Sequence, residues 1–199
     1  QIQGECRLEP WFHPHETGVS EIQRESATVN ALPGALLVDD RVGLAWAWIP
    51  PGSGELGCAG GGGICEAHVT IQQGFWMTTT EIPLAAFEAY GGSERLAANP
   101  NFVGYERHWP VESITWGTAA GYCAWLGGRL PSEAEWIYAA TGGKGLGGTP
   151  PSEHRYPEHA NDFGLYGMWS SPNEFVGDCW HEDHSVKPRD GSTFSGPGP

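Results

Sequence analysis

Apolar and polar positions first settle into a pattern at residue 42. The run V-G-L-A-W-A-W-I (42–49) is rich in strand formers and closes on Pro50, Pro51 and Gly52, which predicts a strand. A second run, H-V-T-I-Q-Q-G-F-W-M (68–77), follows a glycine-rich loop, so residues 42–77 read as a hairpin or two adjacent strands. Pro83 then opens L-A-A-F-E-A-Y, whose apolar positions recur at helical spacing until Gly91-Gly92 stops them. G-T-A-A-G-Y-C-A-W-L (117–126) predicts another helix, with Ser113 and Thr115 as candidate caps and Gly127-Gly128 as the stop. In R-L-P-S-E-A-E-W-I-Y-A-A-T-G-G, Ser132 and Glu135 form a capping box ahead of a helix over 133–141.

The flanks lack this order. Residues 1–41 are polar and interrupted by Pro10, Pro14 and Pro33, and read as an extended N-terminal arm. Its Trp11, Phe12, Ile22, Leu32, Leu36 and Leu37 have too little periodicity to build a core, so they are expected to pack on the domain or on a neighbour. Residues 42–183 read as the domain, and residues 184–199 as a Gly/Pro-rich tail. Short helices and strands with long loops between them predict an irregular α+β domain.

Composition narrows the class. With 30 Gly and 16 Pro in 199 residues, a coiled coil and a helical bundle are excluded; ten Trp and seven Phe exclude a disordered chain. The net charge of −14 would repel a phosphate backbone, so no nucleic-acid partner is expected. No apolar run approaches the roughly 20 residues a membrane helix needs. Opening on Gln1 rather than Met suggests a removed targeting segment or a trimmed terminus.

Five cysteines in an acidic, Lys-poor chain fit an oxidising compartment, so a secreted or periplasmic location is expected. Cys58 and Cys65 sit at the two ends of a flexible C-A-G-G-G-G-I-C loop and are expected to pair. The absence of C-x-x-C disfavours a structural zinc site. Pro14 prevents His13, His15 and Glu16 from showing the helical display of an H-E-x-x-H site, so a solvated loop is expected there. The H-E-D-H run of His181, Glu182, Asp183 and His184 is likewise read as solvated, and Glu133 and Glu135 as carboxylates favoured at a helix start. No Ser-His-Asp order, P-loop or dinucleotide fingerprint is present.

Residues 110–143, P-V-E-S-I-T-W-G-T-A-A-G-Y-C-A-W-L-G-G-R-L-P-S-E-A-E-W-I-Y-A-A-T-G-G, resemble the sulfatase-modifying-factor domain of formylglycine-generating enzymes. L-A-W-A-W-I-P-P-G (44–52), H-V-T-I (68–71), T-E-I-P-L-A-A-F (80–87) and F-G-L-Y-G-M (163–168) resemble further family segments in family order, so the likeness runs from about 42 to 183. It implies an irregular fold related to C-type lectins, with Trp116, Trp125 and Trp136 at core positions.

The departures bear on function. In catalytic members of the family a copper-binding cysteine pair follows an R-V-x-R-G-G-S strand, which these 199 residues do not contain. Copper(I) needs two soft thiolates converging on one metal. Cys123 and Cys179 are left either to pair with each other or, for Cys123, to stand without the partner that family members carry in the missing C-terminal segment. Where the family's G-N-V-W-E-W turn holds calcium in some members, this chain reads S-S-P-N-E-F, a degraded version that leaves Glu174, Asn173 and Asn161 (or Asp162) as candidate calcium ligands; calcium is the one candidate cofactor, and the alternative is a turn in which Glu174 bonds neighbouring backbone N–H groups. The reading is a non-catalytic, exported binding or assembly subunit of a larger envelope or extracellular complex. Its expected partners are other protein subunits, met through the arm and the aromatic loops around 144–160. The alternative is a metal-dependent oxidase of the same family whose catalytic segment lies outside this chain.

Overall fold

The computed structural model describes residues 2–3, 7–8, 32–56, 67–92, 106–143, 159–169, 173–181 and 186–196. The chain forms an α+β fold around a four-stranded antiparallel sheet. Its strands are β1 (Ile2–Gln3), β2 (Arg7–Leu8), β3 (Leu36–Asp39), β4 (Leu44–Ile49), β5 (Gly52–Leu56), β6 (Ala67–Ile71), β7 (Phe75–Thr78) and β8 (Asn173–Glu174). The main sheet runs β2-β7-β4-β3, while β5 pairs with β6 antiparallel and β1 with β8 parallel. Helices are α1 (Leu84–Phe87, running on into a wide turn over Glu88–Gly92), α2 (Trp116–Leu126) and α3 (Glu133–Ala140).

β4 explains the layering. Successive strand side chains point to opposite faces. Leu44, Trp46 and Trp48 enter one core with Phe87, Tyr122 and Leu126 of the first two helices. Ala47 and Ile49 enter a second core with Ala139 and Tyr138 of α3. The strand is therefore buried on both faces, which is why its sequence is apolar almost throughout. The first expected strand ends where predicted and a further strand, β5, follows it, whereas the second is broken in two. Pro50-Pro51 separates β4 from β5, and Gln72–Gly74 separates β6 from β7. At that second break only glycine fits: a Cβ on Gly74 would lie 2.3 Å from the Trp48 ring and 2.8 Å from the Ile49 carbonyl oxygen.

Both flanks differ from expectation at their described positions. Residues 35–38, expected inside an extended arm, alternate: Ala35 and Leu37 pack on the first core while Leu36 and Val38 face outward. That period of two makes β3, paired to β4 in register Leu37↔Trp46. Nearer the N-terminus, Arg7 and Leu8 pair with Met77 and Trp76, and Ile2 and Gln3 with Asn173 and Glu174. At the other end, residues 186–196 are docked rather than trailing. Thr70 N–H donates to the Arg189 carbonyl at 2.7 Å, Lys187 pairs with Glu133, and Gly191 is buried against Ile71.

The helices follow their local chemistry. Thr115 caps α2, its hydroxyl accepting from Thr118 N–H at 3.2 Å, and Gly127 ends it at φ 90°, a left-handed conformation that costs glycine least. Ser132 and Glu135 make the expected capping box on α3. Glu135 is 2% exposed and also takes both arms of Arg129, at 2.9 and 3.0 Å. Asp178 adds a second clasp, accepting from Glu133 N–H at 2.7 Å and from Phe194 N–H at 2.9 Å.

Candidate functional site

Beside β7 the chain builds a cleft from two adjoining segments, residues 80–85 and 107–110. Leu84 N–H donates to the Trp109 carbonyl, Ala85 N–H to Arg107 and Val111 N–H to Ile82, each at 2.8 Å, and Pro83 bridges Pro110 in antiparallel register. Thr80, Glu81, Pro83 and Ala85 line one wall and Arg107, His108 and Pro110 the other, around about 740 Å³. Backbone bonds on both walls make the shape a property of the fold.

Charge is unevenly shared across this cleft. Arg107 reaches Glu88 at 2.5 Å and His108 lies 3.3 Å from Glu106, so both basic groups at the rim have acidic neighbours. Deeper in, burial, with the charges of Glu174 and Glu112 adding to it, pushes the Glu81 carboxyl up to about 7. The bridge register explains the second of these neighbours: two steps from Pro83↔Pro110 puts Glu112 opposite Glu81. One Glu81 oxygen is buried with no hydrogen-bond partner. Glu174 meanwhile accepts from the Trp136 indole N–H, which fixes its carboxylate against α3.

Of the candidate calcium ligands, Asn161 is already fully engaged. Asn161 Oδ1 already accepts from Phe163 and Leu165 N–H at 2.9 and 3.1 Å, and its amide donates to the Ala139 and Ala140 carbonyls. That side chain braces the end of α3 and has no lone pair left for a cation. Calcium takes six to eight oxygens, and Asn173 lies exposed on β8. Among the described residues, no group of three or more His, Cys, Asp or Glu is arranged to hold a metal ion.

The cysteines are also resolved in part. Cys123 is buried and disulfide-bonded, whereas Cys179 is a free, exposed thiol, so the two are not joined to each other. Cys123 points into the first core from α2, while Cys179 is held on the surface through its N–H to the Phe194 carbonyl at 2.8 Å. Cys58, Cys65, His13, His15, Glu16, Glu182, Asp183, His184 and the loop 144–158 lie outside the described residues. His181 packs edge-on against Phe194. Glu133 and Glu135 serve the helix start, as expected.

Two tryptophans expected in the core are on the surface. Trp116 is 48% exposed at the first turn of α2, its indole N–H donating to the Val176 carbonyl at 2.8 Å, and Trp125 is 46% exposed with one face on Tyr90 and Tyr122. Trp109 and Trp180 are exposed as well. Trp136 alone of the three is half-buried, against Trp169. Sequence reasoning missed the cleft, whose trace was the pair of X-Pro steps at Ile82-Pro83 and Trp109-Pro110 flanked by Glu81 and Glu112.

Residues 43–159 match the family described as sulfatase-modifying factor enzyme 1-like domain. Among known proteins, the formylglycine-generating enzyme of Mus musculus is 30% identical over 124 residues, covering 45% of this chain and 32% of that protein. The serine/threonine-protein kinase pkn1 of Chlamydia pneumoniae is 45% identical over 71 residues, 36% of this chain and 11% of the kinase. The chain thus spans a third or less of these relatives. Among solved structures, PvdO from Pseudomonas aeruginosa shares the fold with a TM-score of 0.60 at 20% identity, over 83% of this chain and 82% of that one.

Proposed function

The chain belongs to the sulfatase-modifying factor enzyme 1-like domain family, and from that premise we propose that it is a non-catalytic binding or assembly subunit of an exported protein complex. One observation carries the reading: Trp109, Trp116, Trp125 and Trp180 are 44–65% exposed on a fold that buries most of its other large apolar side chains. Tryptophan is the residue most enriched at energetic centres of protein interfaces, because it buries a large rigid area at low entropic cost. The bonded state of Cys123 supports an oxidising compartment, secreted or periplasmic. The irregular architecture is read as related to C-type lectins, and the net charge of −14 favours a neighbour with a basic face.

The test is the size of the native particle. In gently prepared native extract the chain is expected to migrate in a larger assembly, and the Trp116→Ala/Trp180→Ala variant to migrate as a folded monomer. Wild-type chain that runs as a monomer throughout would refute the subunit reading. The alternative, a metal-dependent oxidase completed by residues outside this chain, draws support from Cys179, a free and exposed thiol in a family with cysteine-dependent members.

A further inference from the structure

We propose that the cleft between Thr80–Ala85 and Arg107–Pro110 is a binding site for a primary ammonium carried on an alkyl stem, as in a lysine side chain or a small free amine. The proposal does not rest on the subunit reading.

Three features of the geometry point to it. The bridge register sets Glu112 opposite Glu81, which lines the cleft, and Glu174 adds a third carboxylate acting on Glu81. Like charges directly opposed across a strand pair are destabilising unless something compensates them. Next, one oxygen of Glu81 is buried without a hydrogen-bond donor, an omission that native structures rarely tolerate and that a ligand N–H would repair. Finally, Pro83, Ala85 and Pro110 give the lining beyond Glu81 an apolar stretch, which suits methylene groups.

The charge balance selects a cation. Arg107 is engaged by Glu88 and His108 has Glu106 beside it, so the rim presents no unopposed positive charge for an anionic ligand. An ammonium is a compact point charge that one unpartnered carboxylate oxygen can accept from, whereas a planar guanidinium needs two oxygens side by side. The charged and titratable groups around Glu81 are Glu174, Glu112, Arg107 and His108, with Glu88 and Glu106 behind the last two.

The probe is n-butylamine, titrated into the full chain at low salt and followed by calorimetry and by chemical shifts of the cleft residues, with 1-butanol as the uncharged counterpart. Saturable binding of the amine is expected at pH 8. It should weaken about tenfold at pH 6 as Glu81 takes up its proton. In Glu81→Gln it should weaken about tenfold at pH 8 and lose most of that pH dependence, while His108→Gln keeps it. Glu112→Gln, folded by circular dichroism, should bind less tightly, which keeps the proposal testable if Glu81→Gln does not fold. Tighter binding of Nα-acetyl-lysine amide than of n-butylamine identifies a protein lysine as the source of the ammonium; the reverse order identifies a free amine. Equal binding of 1-butanol, wild-type affinity in Glu81→Gln, or cleft shifts that respond to calcium chloride and not to the amine would each overturn it.

Discussion

Glu81 and Glu135 show opposite fates for a carboxylate in this fold. Glu81 is held above its ordinary range, at about 7 against 4.5. The native state therefore keeps a proton that the unfolded chain releases, so the associated stability is complete below about pH 4.5 and lost as pH rises through 7. Glu81→Gln should flatten that part of the profile and raise stability at pH 8 by on the order of 2 kcal/mol, discounted for the group's partial exposure, as read by urea unfolding at both pH values. A profile in the variant as steep as in the wild type would show that another group titrates. Glu135, in contrast, is buried with its charge matched by Arg129 and its oxygen bonded to Ser132 N–H at 2.8 Å. Glu135→Gln should cost about 2 kcal/mol, at the low end for a broken buried pair because Arg129 can still reach water; an unchanged midpoint would contradict this. The capping role of Glu135 was legible from S-x-x-E spacing alone. The state of Glu81 was not, because it depends first on burial and then on Glu174 and Glu112, which lie far along the chain and meet it only through folding.

At the scale of elements, local chemistry and tertiary context divide cleanly. Helix limits were readable because caps and stops are written within a few residues: Thr115 and Gly127 for α2, Ser132 for α3. The division of the second strand run was not readable, because the break at Gly74 is imposed by Trp48 and Ile49 of a neighbouring strand. Residues 186–196 were equally illegible, since their anchors Glu133 and Asp178 belong to other segments. Asp178 joins that segment to the start of α3. Asp178→Ala should remove about 1–2 kcal/mol and make residues 186–196 the first site of protease cleavage, with thermal unfolding and limited proteolysis as the two readouts. A variant as resistant as the wild type would show that Lys187 and the Thr70 contact hold the segment unaided.

For the whole molecule, the family was legible from residues 110–143, and residues 43–159 match it. Surface placement of Trp116 and Trp125 was not, because motif position says which residue occurs and burial depends on what packs over it. Those exposed rings, with the charge of −14, underlie the reading of this chain as a binding subunit in a family that also contains formylglycine-generating enzymes. The most direct measurement is oxidation of a cysteine-containing sulfatase peptide by the purified full chain supplied with copper and oxygen, followed by mass spectrometry. An unchanged peptide cysteine is the predicted result. Catalytic conversion of that cysteine to the aldehyde, with copper near one per chain, would contradict it.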